Sequence, residues 1–478
     1  MTSSPYFTNI CTLPLSSDLF CLALHPTQPL LTVGLATGHV QTYRLPSVTA
    51  EEDGSSPPPS PPQPILNANG TSSILSTRRR SSTASENGLG SIETVWKTRR
   101  HKGSCRTICY SNDGTLCYSA GTDGLVKVFE SETGKVVAKS ALPTLKNGEI
   151  DAPTVVCEVT PMHLVVATDS GAVYLFDVKQ NQKQAEGQKY SLAAHPAKTE
   201  RPHGDEHVNA LVPLPPSESS TSGFPKQFVT VGGSMLAVTD LRKGVVATSE
   251  DQEMELINCL ILSGLKKGGT SVGEKVLVGQ SDGILSLWER GVWGDLDERI
   301  IVDREGASID ALCEIPREFL PGGGRLKMNE KVVACGLDDG RIRFVRVGRN
   351  GLMQDWDAKH DEIEGVTSLA FDVAGNRLIS GGGQTVKIWT KAQIANIAGS
   401  INGLGKRERD DSDDNDEWED AEDDDDDGEE QEKEMAQYGD SDEEDSEEER
   451  DRTKRKKRKR NKGKDKSGGK ALSLSGIF

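Results

Sequence analysis

The residues best suited to chemistry in this sequence are one histidine and three cysteines crowded into a short stretch: His101, Cys105, Cys109 and Cys117. Thiolates and an imidazole are the donor set of a structural zinc site. The spacings are not those of a C-x2-C knuckle, however, and each cysteine falls in a short apolar run of the kind that forms a strand. These thiols read as small core residues, and no metal is expected. The chain has nine cysteines, an odd number mostly placed in apolar runs, as expected of reduced thiols in a reducing compartment. A phosphate-binding loop needs G-x-x-x-x-G-K-[ST]. The nearest stretch, GLKKGGTSVGEK, has the wrong order and lacks the final hydroxyl. Gly381-Gly382-Gly383 belongs to a strand-turn rather than a helix N-terminus, and no G-x-S-x-G elbow is present. With eight histidines scattered along the chain, no catalytic constellation emerges. The expectation is a protein without catalytic residues, cofactor or small-molecule substrate.

Two further clusters bear on binding. In VWKTRRHKGSCR, the cations Lys97, Arg99, Arg100, Lys102 and Arg106 surround a predicted loop beside Trp96, a patch suited to nucleic-acid phosphates or simply to solvent. In RRRSS, three arginines precede Ser81 and Ser82, which makes both candidate sites for a basophilic kinase.

The elements that must carry these residues repeat. CYSAGTDGLVKVFE, residues 117–130, combines a short apolar strand, an Asp-Gly turn and an alternating strand that ends in an aromatic and an acid. Variants begin at residues 31, 164, 228, 276, 332 and 378, which makes seven copies. Each reads as a β-hairpin. Asp-Gly supplies the positive φ of a tight turn, and alternation places one side of the strand inward. An apolar strand precedes every hairpin and a shorter one follows most. Four strands per copy in seven copies predict an all-β, seven-bladed propeller over residues 1–392. The last copy lacks a fourth strand, so Tyr6 to Leu13 is expected to complete it and close the ring.

The hairpins resemble the WD-repeat family. Their ends, Tyr43-Arg44, Phe129-Glu130, Phe176-Asp177, Trp288-Glu289 and Trp389-Thr390 among them, are degenerate forms of Trp-Asp, and His101, His207 and His360 stand where the family's Gly-His histidine belongs. The resemblance implies a buried structural network of His101, Ser119 and Asp123, with Phe129 in place of Trp. It also draws attention to Asp240 and Arg242, which match half of the Trp-Asp-x-Arg box of propellers that serve cullin ubiquitin ligases; the alternative reading of that pair is a salt link at the end of a blade.

Charge divides the rest of the chain. The net charge of -18 resolves into -25 over residues 408–449, +10 over 450–466 and only -3 elsewhere. The acidic tract, within 393–449, and the basic tail, 450–478, cannot bury a core and are expected to be disordered, as is the Pro/Ser-rich insertion at 46–90 in the first blade. Lys454, Arg455, Lys456, Lys457, Arg458, Lys459 and Arg460 are consecutive cations, which suits an import receptor or RNA phosphates. Ser441 and Ser446 lie in acidic contexts suited to a casein-type kinase. With no apolar run long enough to cross a membrane and no secretory signal, a soluble protein inside the cell is expected.

The opening DLFCLALHPTQPLLTVGLATGHV, the SNDGTLCYSAGTDGLVKVFE repeat and the acid-then-basic tail resemble the WD repeat-containing protein 55 family in its fungal Jip branch. That resemblance implies a scaffold of the nucleus and nucleolus acting in ribosomal RNA processing, with pre-ribosomal proteins as partners and pre-ribosomal RNA as a candidate contact. A cullin-ligase substrate receptor and a histone-binding propeller are the alternatives.

Overall fold

In a computed structural model, the structure describes residues 6–45, 82–84, 91–181, 189–217, 220–266, 272–320, 326–354, 356–372 and 376–391. These form seven antiparallel sheets and no α-helix, with one 3-10 turn at Arg317–Phe319. No helix among them is long and apolar enough to cross a membrane. The sheets are the seven blades of a propeller, each led by an apolar inner strand, from Leu19–Leu24 in the first to Ser368–Asp372 in the seventh. The second strand of nearly every blade is buried along its length, Leu30–Leu35, Leu116–Gly121 and Arg377–Gly382 completely so, because a sheet lies on either side.

A blade cannot bury both of its faces alone. Seven buried apolar clusters among the described residues provide the remedy, one between each pair of successive blades. The smallest joins the first blade to the second through Val40, Cys105, Ile108, Cys117 and Phe129. Gly34 is essential there. A Cβ at that position would stand 2.5 Å from Cys21 Sγ and 2.8 Å from Cys105 Sγ. The cysteines are thus core filler, and burial pushes the Cys21 and Cys117 thiols well up.

The ring closes as expected. Strand Phe7–Pro14 pairs antiparallel with Thr385–Lys391 as the outer strand of the seventh blade, with a bulge between Asn9 and Cys11. Phe7 then reaches the sixth blade, stacking on Phe344 at 4.4 Å, while Tyr6 stacks on Trp356 at 4.2 Å.

Three details depart from the sequence reading. The insertion contains a strand, Ser82–Ala84, which adds a fifth member to the first blade by pairing with Ser91–Arg99. Local backbone pairing explains this, because Ser91–Arg99 presents an outer edge. In the third blade two short strands, Lys189–Leu192 and Lys198–Glu200, share the outer position. Gly351–Leu352 and Ala358–Lys359 do the same in the sixth.

Candidate functional site: polar networks and the basic rim

The predicted network of the second blade is present. His101 hydrogen-bonds Asp123 Oδ1 through Nδ1 at 2.8 Å and Ser119 Oγ through Nε2 at 2.9 Å. All three are held inside the blade, where each polar atom must find a protein partner. Asp123 also accepts the Lys102 backbone N–H, and that contact with His101 holds its carboxyl below the usual range against the opposing effect of burial. Phe129 contributes no donor. Its ring lies under the Arg100 guanidinium, 4.4 Å from the centroid.

Sequence reasoning misplaced the histidine of the fourth blade. His203, not His207, is buried there, bonded through Nε2 to Thr230 Oγ1 at 2.9 Å. His207 is on the surface, 3.1 Å from Glu255 Oε1. The sequence HGDEHV offers both, and only the length of the loop that seats the ring beside Gly232 decides. His360 is correctly placed: its Nδ1 bonds Ser380 Oγ at 2.8 Å. Burial pulls both imidazoles, His203 and His360, down to about 4.

The cationic cluster needs the largest correction. Residues 91–99 form a strand rather than a loop, and Arg100 is buried between Trp96 and Phe129, where it donates to the Gly134 carbonyl. Trp96 is also engaged, its Nε1 donating to Ser131 O at 2.9 Å. Arg106 faces Asp169 at 3.5 Å and lies over Phe20. Lys97, Arg99 and Lys102 remain as exposed cations.

Asp240 and Arg242 form no salt link. Asp240 Oδ1 accepts the backbone N–H of Arg242 at 2.9 Å and of Lys243 at 3.1 Å, a turn in which the carboxylate is spent locally. Ser82 lies in the short strand described above. Ser81, Ser441, Ser446 and the run from Lys454 to Arg460 lie outside the described residues. Among those described, no group of three or more His, Cys, Asp or Glu is placed to hold a metal ion.

Blades closed by the first strand and pinned by His–Ser networks define a WD-repeat β-propeller, and the family model for the WD domain, G-beta repeat, matches residues 92–130 and 359–390. WD propellers are in general non-catalytic protein-interaction scaffolds. The chain belongs to the JIP5 family of WD repeat-containing proteins. It is 50% identical over 389 residues to WD repeat-containing protein JIP5 of Phaeosphaeria nodorum, covering 80% of this chain and 82% of that one. It is 48% identical to jip5 of Neosartorya fischeri, over 81% of this chain and 84% of the relative. With jip5 of Emericella nidulans the identity is 47%, over 84% of this chain and 88% of the relative.

Proposed function

We propose that the protein is a non-catalytic nuclear and nucleolar scaffold in ribosome biogenesis, serving ribosomal RNA processing on the way to the large subunit. The observation that carries the reading is a near-neutral propeller followed in sequence by a tract of net -25 and then one of +10. Seven consecutive cations, Lys454 to Arg460, supply an address for an import receptor and a contact for RNA phosphates. The charge of the acidic tract suits basic partners such as ribosomal proteins. The propeller contributes the rigid platform, and its loops the partner contacts.

Affinity purification of the full chain beside residues 1–400 carrying a foreign import signal tests this. Pre-ribosomal RNA and proteins with both forms make the propeller the binding module. Recovery with the full chain alone makes the tail the docking arm. Recovery of a ligase adaptor or of histones, without pre-ribosomal RNA, overturns the reading.

A further inference from the structure

The outer strand of the first blade carries a cationic ridge built more firmly than its sequence suggests. Strand residues alternate faces, so Lys97 and Arg99 project to the same side, about 6.7 Å apart at two residues' rise. Register places Gln41 opposite Lys97 and His39 opposite Arg99. Lys102 follows in the loop to the second blade. Arg99 Nη2 donates to the Lys102 carbonyl at 3.1 Å, and the Lys102 N–H donates to Asp123 Oδ2 at 3.1 Å. The loop itself is clamped on Gly38, whose carbonyl accepts the N–H groups of Arg100 at 2.8 Å and His101 at 3.1 Å. Gly38 has φ +76, and a Cβ there would collide with the carbonyls of His101 and Gly103. Three exposed cations are therefore held in one frame by backbone contacts.

Among the described residues none of the three forms an ion pair, whereas neighbouring Arg106 is matched by Asp169 and Arg100 is buried. Burial holds the His39 imidazole low, and Lys97 and Arg99 beside it push it lower still. In the outer-to-inner loops of three other blades exposed carboxylates pair with cations: Asp205 with Arg201, Glu305 with Arg341 and Glu362 with Lys359.

We propose that Lys97, Arg99 and Lys102 form a binding surface for the sugar–phosphate backbone of single-stranded RNA, read without regard to sequence. This deepens the function proposed above and rests on it. A protein partner would need apolar anchors at the centre of its footprint. The one aromatic of this strand, Trp96, is already covered by Arg100 and bonded to Ser131, so it offers neither an anchor nor a stacking platform. Point charges repeated at strand spacing suit a ligand of repeated charge, whose affinity comes from released counterions.

The test measures binding of a uridine homopolymer to the full chain across a salt series, for wild type, for Lys97, Arg99 and Lys102 changed together to Ala, and for a control with exposed Lys146, Lys226 and Arg304 changed to Ala. Loss of three phosphate contacts lowers the slope of log K against log salt by about 2, since single strands release about 0.7 counterion per contact. The expected result is that fall in the first variant only, together with loss of ultraviolet cross-links to residues 95–106. An unchanged slope, an equal fall in the control, or loss of binding to polyglutamate but not to RNA overturns the proposal. Pre-ribosomal RNA that still co-purifies with a variant of unchanged slope leaves the ribosome reading standing and removes only this surface. A fall in slope in a protein that brings down no pre-ribosomal RNA does the reverse.

Discussion

Trp389 donates its indole N–H to Ser380 Oγ at 2.7 Å, and the same serine bonds His360. Trp288 stands at the matching place in the fifth blade, fully buried, and its Nε1 has no partner. The difference is a single position: Val278 lies where Ser380 lies, two residues beyond the one that faces the tryptophan across the hairpin. An orphaned buried donor forfeits the water it left behind.

Replacement of each tryptophan by phenylalanine should therefore give unequal results. Trp389→Phe loses ring volume and a satisfied hydrogen bond and leaves Ser380 with His360 alone. Trp288→Phe loses ring volume but relieves an unpaired N–H. Trp389→Phe is expected to cost about 1 kcal/mol more in denaturant unfolding. Equal costs would show that the indole of Trp288 finds water.

Closure of the ring makes stability depend on the first strand. Deletion of residues 1–14 leaves Thr385–Lys391 as a raw edge and empties the niche of Phe7, so a large drop in melting temperature is expected. Phe7→Ala alone should cost about 3–5 kcal/mol. An unchanged melting temperature on deletion would refute the role of this strand as the closure.

His203 and His360 predict the acid limb of stability. Both imidazoles are held down to about 4 by burial, below the ordinary value of 6.5. They are neutral when folded and bind protons on unfolding as the pH falls. Their contribution is complete above about 6.5 and is lost between there and about 4, at most about 3 kcal/mol each. Glu158 and Asp310, whose carboxyls burial pushes up, act in the opposite sense, above their ordinary carboxylate values. Unfolding midpoints taken from pH 7 to pH 4 should fall less steeply in His203→Gln than in wild type.

Arg100 belongs to stability rather than to binding. Arg100→Met removes the cation from Trp96 and Phe129 and the bond to Gly134, for an expected loss of about 2 kcal/mol. The salt slope for RNA should not change. A slope that fell as it does for Lys97 would mean that the guanidinium swings out to solvent.

Arg242→Ala should be nearly silent, within about 0.5 kcal/mol, because Asp240 is satisfied by backbone N–H groups whatever side chain follows. Co-purification that loses a ligase adaptor on this change would revive the ligase reading.

Much of this was legible in the chain itself. Asp-Gly turns, alternating strands and seven copies specify the blades, because turn chemistry and a period of two are local properties. The unfinished seventh copy announces the closing strand for the same reason. Cys105, Cys109 and Cys117 lie on strands, Cys105–Tyr110 and Leu116–Gly121, as their apolar runs predict. Which histidine of HGDEHV turns inward, and which arginine of the Arg99–Arg100 pair is buried, are not local questions. His203 is chosen by the room beside Gly232, and Arg100 by the two aromatic faces that meet at the junction of two blades. The sequence by itself determined the repeat, the hairpins and the segregation of charge into the tail, since periodicity and composition act along the chain. Only the tertiary structure decided which polar residues are satisfied and which cations are left to bind, since both depend on neighbours that the propeller brings together from different blades.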